Sequence, residues 1–228
     1  MSSVARRPKA VAFDVNETLF DISMLEEAFL DFGMPEYAVH WWFATVLRDG
    51  MALSASGDAA PFGMIAGAAL EELFSTLNKY PPTGAASTLL ETFAKLRAHP
   101  DVRPALEMLE QEEIPAIALT NGNANVTKGL FEKSGLSSLI AHVLSVDDVA
   151  HWKPRREPYR YAAEKLGLPS SSIAMVAVHP WDTHGAKRAG MITGWVNRSN
   201  RNYPSFFTSP DVEAPTADGV VRLLLRRG

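Results

Sequence analysis

Four polar clusters stand out along the chain: Phe13-Asp14-Val15-Asn16-Glu17-Thr18-Leu19, Leu119-Thr120-Asn121-Gly122, Trp152-Lys153-Pro154 and His179-Pro180-Trp181-Asp182-Thr183-His184-Gly185-Ala186. Carboxylates, hydroxyls, an ammonium and an imidazole gathered in one place can do nucleophilic or acid–base chemistry. The chain has no cysteine, so thiolate nucleophiles, disulfides and Cys-based zinc or iron–sulfur sites are excluded. Its chemistry must come from oxygen, nitrogen or a borrowed cofactor. Taken singly, each residue has a plain structural use. Asp14 can cap the following turn with help from Thr18, Lys153 can be an exposed lysine before a proline, and Asp182 can be the N-cap of a helix starting at Thr183.

The elements around the clusters argue for the first use. Ala10-Val11-Ala12-Phe13, the run from Ile114 to Leu119 and the run from Ile173 to Val178 are short, continuous and apolar, as strands buried on both faces are. Thr193-Gly194-Trp195-Val196 and the weaker Val143-Leu144-Ser145-Val146 are similar. Helical patterns lie between them: Val102, Ala105, Leu106 and Leu109 with Pro104 near the start, and Tyr159, Ala162, Ala163 and Leu166 stopped by Gly167 and Pro169. Strand alternating with helix predicts an α/β fold, a parallel sheet covered on both faces. Such sheets carry their working residues just beyond the carboxyl ends of the strands, where Asp14, Thr120, Asn121, His179 and Asp182 fall.

From about Phe20 to Pro100 the alternation stops and the pattern is helical. Ser23 and Glu26 form a capping box ahead of Leu25, Ala28, Phe29 and Phe32 on one stripe. Further helical stretches cover 39–47, 65–77 and 89–96, and Pro81-Pro82-Thr83-Gly84 reads as a turn. The expectation is a helical insertion after the first strand, with the chain returning to the sheet near residue 100.

At 228 residues the chain is long enough for a core with an inserted layer, without disulfide or metal staples. Its 22 basic against 26 acidic residues, net charge −4, give no footprint for nucleic acid, although Arg6, Arg7 and Lys9 open the chain. The apolar stretch before Asp14 is too short for a secretory signal, and no window resembles a membrane span. The expected protein is soluble and cytoplasmic.

In this order and spacing, the motifs resemble the haloacid dehalogenase superfamily, and most closely its type II 2-haloacid dehalogenase branch. The resemblance runs over nearly the whole chain. It includes the first-strand Asp14, the helical insertion, Thr120-Asn121-Gly122, Lys153-Pro154 with Tyr159 six residues on, Trp181-Asp182 followed by Gly185-Ala186, and Gly190, Trp195, Asn197 and Arg198. It implies a Rossmann-like core of residues 1–20 with 100–228, a helical cap of 21–99, and a homodimer through the cap as one option. Asp14 would be the nucleophile, with Lys153 supplying the balancing positive charge that keeps it ionised. Thr120 and nearby backbone N–H groups would orient the carboxylate and hold the oxyanion. Thr18 would fix the loop that aims Asp14, and Asp182 would anchor Lys153 or position the hydrolytic water. The substrate would be a small organic acid, its halide displaced with inversion and the resulting ester hydrolysed, without metal or other cofactor.

Two rival readings are a phosphatase of the same fold with a degraded acid and Mg²⁺ site, and a catalytically silent binding protein. The superfamily's phosphatases carry a second Asp two residues after the nucleophile, where this chain has Asn16, and an extra acidic residue near the last motif, where Asp182 is flanked by Pro180, Trp181 and Thr183. The dehalogenase branch in turn has Tyr-Gly where this chain has Asn16-Glu17, and an Asn where it has His179. Its carboxylate-binding cap Arg aligns with Trp42. Arg48, seven residues from Trp41 and on the same helical face, is the candidate substitute, with a solvated charge beside Asp49 as the equal alternative. His179 is placed in the site as a partner of Asp14, a substrate contact or a base. Asn16, Asn121, Tyr159 and Trp181 complete the candidate substrate contacts. Trp41, Trp42, Phe62 and Trp181 would form an apolar wall, with plain core as the alternative.

Overall fold

The computed structural model describes residues 7–80 and 83–227. Arg6 and the Pro81-Pro82 half of the expected turn lie outside the described residues. Six parallel strands, β1 (Ala10–Phe13), β2 (Ala116–Thr120), β3 (His142–Ser145), β4 (Ile173–Ala177), β5 (Ile192–Val196) and β6 (Val212–Ala214), form one sheet in the order β3-β2-β1-β4-β5-β6. β1, β2, β4 and β5 are buried at every position, which is why they read as unbroken apolar runs. β6 has Glu213 at its centre and half-exposed flanks, so it carried no such signal.

Alternate residues of each strand face opposite layers. Val11 and Phe13 of β1 pack with Ala116, Ala118, Ala174 and Val176 against α5 (Val102–Gln111), α6 (Ala124–Lys133) and α9 (Ala217–Leu225). Ala10 and Ala12 pack with Ile117, Leu119, Ile173 and Met175 against α7 (Arg156–Leu166) and α8 (Pro180–Arg188). The chain winds outward from β1 to β2 and β3 on one side, then to β4, β5 and β6 on the other. The gap beyond the carboxyl ends of β1, β2 and β4 is therefore the topological switch point, where an open parallel sheet forms a crevice.

Among the described residues between β1 and α5 lie four α-helices and no strand: α1 (Glu26–Asp31), α2 (Ala38–Ser56), α3 (Phe62–Thr76) and α4 (Ala85–Phe93). The start differs from the expected capping box. Asp21 caps a 3-10 turn at Ile22–Leu25 by accepting from the Ser23 N–H at 2.9 Å, and α1 follows without a side-chain cap. Asp21, two residues before Ser23, supplies the side-chain cap, and the Glu26 N–H bonds the Ser23 carbonyl. Among the described residues no helix is long and apolar enough to cross a membrane.

Candidate active site

Asp14 leaves the end of β1 into a tight loop in which Leu19 and Phe20 N–H both return to the Val15 carbonyl. Glu17 within it holds φ +61°, a left-handed conformation uncommon for a residue with a side chain. The Thr18 hydroxyl donates to Asp14 Oδ2 at 2.6 Å and accepts the Val178 N–H at 3.0 Å, tying the loop to the end of β4. Arg198 braces it from below, donating to the Thr18 carbonyl at 2.8 Å and to Asp101 at 2.7 Å.

Lys153 comes from the segment between β3 and α7. It has no exposed surface, and its ammonium donates to Asp14 Oδ1 at 2.9 Å, Asp182 Oδ2 at 2.7 Å and the Leu119 carbonyl at 2.7 Å, which uses all three N–H bonds. Burial penalises this charge, but Asp14 and Asp182 outweigh the penalty and raise its pKa above the ordinary lysine value. Burial would also raise Asp14. Lys153 first, then His179 and the Thr18 hydroxyl, instead hold it well below the usual carboxylate range. Asp182 moves upward through burial and the Asp14 charge, against the pull of Lys153.

Asp182 lies in the first turn of α8, which starts at Pro180, so Asp182 is not the N-cap that its plain structural use would make it; His179 is the residue before the helix and Pro180 needs no N–H there. Its second oxygen accepts from the Tyr159 hydroxyl at 2.7 Å. Burial and Asp182 push the Tyr159 pKa far up, so the hydroxyl remains a donor. Gly185 lets α8 approach this far. A Cβ there would lie 2.5 Å from Pro154 Cβ and 2.7 Å from the Tyr159 hydroxyl.

His179 closes the other side of Asp14. Its Nδ1 is 3.2 Å from Asp14 Oδ2 and its Nε2 is 2.7 Å from Glu17 Oε2. Each ring nitrogen therefore faces a carboxylate oxygen. Burial alone would lower its pKa, but the bonds and charges of Asp14 and Glu17 raise it to about 9. Trp181 stacks on the ring at 5.0 Å between centroids, and Phe43 lies at 6.3 Å on a tilt.

Several expectations need correction. The Thr120 hydroxyl does not bond Asp14; it accepts the Gly122 N–H at 2.8 Å and shapes the turn after β2. Asn121 Oδ1 takes the Lys153 N–H at 2.9 Å, fixing the Lys153 backbone. Tyr159 has no exposed surface and serves Asp182. Arg48 lies outside the site, on the surface, paired with Asp49 at 2.7 Å and with Glu72 at 3.4 Å, because the nearer acids on α2 and α3 capture it. Trp42 is core, its Nε1 bonded to the Ala66 carbonyl at 2.9 Å and its ring against Phe29, Phe43 and Phe93. The four aromatics make no common wall: Trp41 is partly exposed and stacks on Tyr37, Phe62 stacks on Trp152, and Trp181 alone flanks the site. Asn16 is buried beside Gly122. His184 accepts the Thr208 N–H on the far side of α8. Glu17 was missed as a site residue. The signal was present, as an acid three residues after Asp14 where the dehalogenase branch has glycine.

Among the described residues no group of three or more His, Asp or Glu side chains is arranged to hold a metal ion. The cationic group bridging Asp14 and Asp182 is an ammonium.

Comparison with known proteins agrees with this architecture. The profile of the haloacid dehalogenase-like hydrolases matches residues 8–190. The chain is 27% identical over 221 residues to haloacetate dehalogenase H-2 of Moraxella sp. (strain B), covering 96% of this chain and 99% of that one. It is 29% identical over 219 residues to the (S)-2-haloacid dehalogenase of Pseudomonas sp. (strain YL), covering 94% of each. The solved structure of the L-2-haloacid dehalogenase RSc1362 superposes with a TM-score of 0.89 at 28% identity, over 96% of this chain and 99% of that one.

Proposed function

The chain belongs to the haloacid dehalogenase-like hydrolases, and on that premise we propose that it hydrolyses the carbon–halogen bond of a small 2-haloacid through an ester on Asp14. Residues 1–20 with 100–228 act as the catalytic core and 21–99 as a cap over it. The similarity to dehalogenases along nearly the full chain supports this reading. The observation that carries it is the Lys153 ammonium bonded at once to Asp14 and Asp182. That contact balances a dehydrated carboxylate without neutralising it by proton, which is the condition a carboxylate nucleophile needs.

In this mechanism an Asp14 oxygen bonds to the halogen-bearing carbon, and the carbon–halogen pair leaves with the halide as the carbon inverts. Water then adds to the Asp14 carboxyl carbon and the ester bond breaks on the carboxyl side. One water proton ends on the product hydroxyl and the other leaves to solvent, while the water oxygen stays in Asp14. Thr18 aims the nucleophile, Lys153 holds its charge, and Asp182 with Tyr159 holds Lys153. A single turnover in heavy-oxygen water, starting from unlabelled enzyme, should give 2-hydroxy acid whose new oxygen is unlabelled. Solvent oxygen in that first product would overturn the covalent route. Halide release from chloroacetate and from each 2-chloropropionate enantiomer, with phosphate esters in parallel, tests the substrate class.

A further inference from the structure

The imidazole at position 179 sits between two carboxylates, and one of them belongs to a residue whose backbone is held in a sparsely populated conformation. Glu17 at φ +61° aims its carboxylate back at the His179 Nε2, 2.7 Å away, while Nδ1 faces Asp14 Oδ2 at 3.2 Å. A side chain kept at positive φ is unfavourable and persists where its surroundings hold it there. The surroundings are explicit: Glu17 N–H donates to the Phe20 carbonyl at 2.9 Å, and His99 Nε2 donates to the Glu17 carbonyl at 3.2 Å. Stacking on Trp181 at 5.0 Å adds an aromatic face, which favours a cationic ring.

We propose that Glu17 is a positioning residue that fixes His179 as an imidazolium whose Nδ1–H donates to Asp14 Oδ2, making His179 a catalytic electrophile and not a base. This rests on the ester mechanism above. Oδ2 then has two donors, Thr18 and His179, and Oδ1 has Lys153 alone. Oδ1 is the oxygen with more of its lone-pair capacity free to attack. Oδ2 becomes the ester carbonyl oxygen, and when water adds to the carboxyl carbon, the pair that moves onto Oδ2 meets two donors already in place. The proton on Nδ1 is shared through a hydrogen bond and returns with the restored carboxylate, so the ring is unchanged over the cycle.

Other charges face this pair. Lys153 and Asp182 lie beyond Asp14, and His40 on α2 has Nδ1 3.8 Å from Glu17 Oε1 and Nε2 4.0 Å from Glu26. Arg198, Arg201, His99 and Asp21 line the same pocket of about 260 Å³ as Glu17 and His179.

The test is an NMR titration of the whole enzyme labelled in histidine, with His179 assigned by loss of its signals in His179→Asn. Wild type should show both ring nitrogens protonated at neutral pH, with a midpoint near the value of about 9 expected from its partners. Glu17→Gln should lower that midpoint by about one unit or more. Glu17→Gly, which suits the positive φ, should do the same and guards against a folding defect. For halide release, both variants should lose about tenfold or more in kcat with little change in KM, and the alkaline limb of the pH profile should move with the NMR midpoint. A neutral His179 at neutral pH, a midpoint unmoved in both variants, or an unchanged kcat despite a lowered midpoint would each overturn the proposal. The expected titration without halide release from any haloacid would instead sustain the Glu17–His179 pairing and sink the dehalogenase reading.

Discussion

Lys153 Nζ stands 2.9 Å from Asp14 Oδ1, and the lysine side chain has no exposed surface while the aspartate has almost none. Removing one partner of a buried pair leaves the other charge uncompensated. Lys153→Met should therefore destabilise the fold by about 3–5 kcal/mol and reduce halide release at least about a hundredfold. Pairing it with Asp182→Asn should recover part of the stability and none of the activity. Urea unfolding and halide assays on the single and double variants check both.

Arg48→Ala should leave kcat/KM within about twofold of wild type, since the guanidinium is engaged by surface acids. A loss of tenfold or more carried by KM would mean that Arg48 reaches the substrate after all. Steady-state kinetics with chloroacetate decide it.

Tyr159→Phe leaves one Asp182 oxygen without its buried donor. The expected cost is about 1–3 kcal/mol of stability, with reduced kcat because Lys153 loses a fixed anchor. Kinetics unchanged from wild type would show that Asp182 holds Lys153 unaided.

His179 also makes stability depend on pH. Its folded pKa of about 9 lies above the ordinary 6.5, so its stabilisation is complete below 6.5 and is lost as the pH rises through 9. A shift of that size corresponds to on the order of 3 kcal/mol. Melting curves recorded between those two pH values should show a falling Tm, and His179→Asn should flatten that fall.

Gly185→Ala would drive a methyl into Pro154 and the Tyr159 hydroxyl. The expected loss is about 1–3 kcal/mol, with weakened activity from a displaced Lys153 segment. Wild-type melting and kinetics would show that α8 can shift without cost.

The strands that read clearly in the sequence are those buried on both faces, because only there does every residue answer to the same environment. β6, at the edge and centred on Glu213, left no apolar run to find. In the site, Asp14, Thr18, Lys153 and Asp182 were legible from their order, and the structure brings them together. Thr120, expected to orient the carboxylate, and Asn121, expected to contact substrate, both bond backbone amides here, since polar side chains at the end of a buried strand have unpaired amides within reach. Trp42 as core and Trp42 as site wall both stay open in the sequence, because helical spacing alone does not say which neighbour an aromatic meets. Glu17 and His179 lie 162 residues apart, and their contact exists only once β1 and β4 are side by side.

Trp152, the residue before Lys153, is seated directly on α2. Its N–H donates to Ser54 Oγ at 2.7 Å, Arg155 donates to the Ser54 carbonyl at 3.0 Å, and a Cβ on Gly50 would collide with the Trp152 ring at 2.3 Å. Swinging the helices away from the sheet at this point would drag Trp152 with them and lift the adjacent ammonium off Asp14. The seat of Trp152 on α2 thus ties the placement of these helices to the charge balance at Asp14.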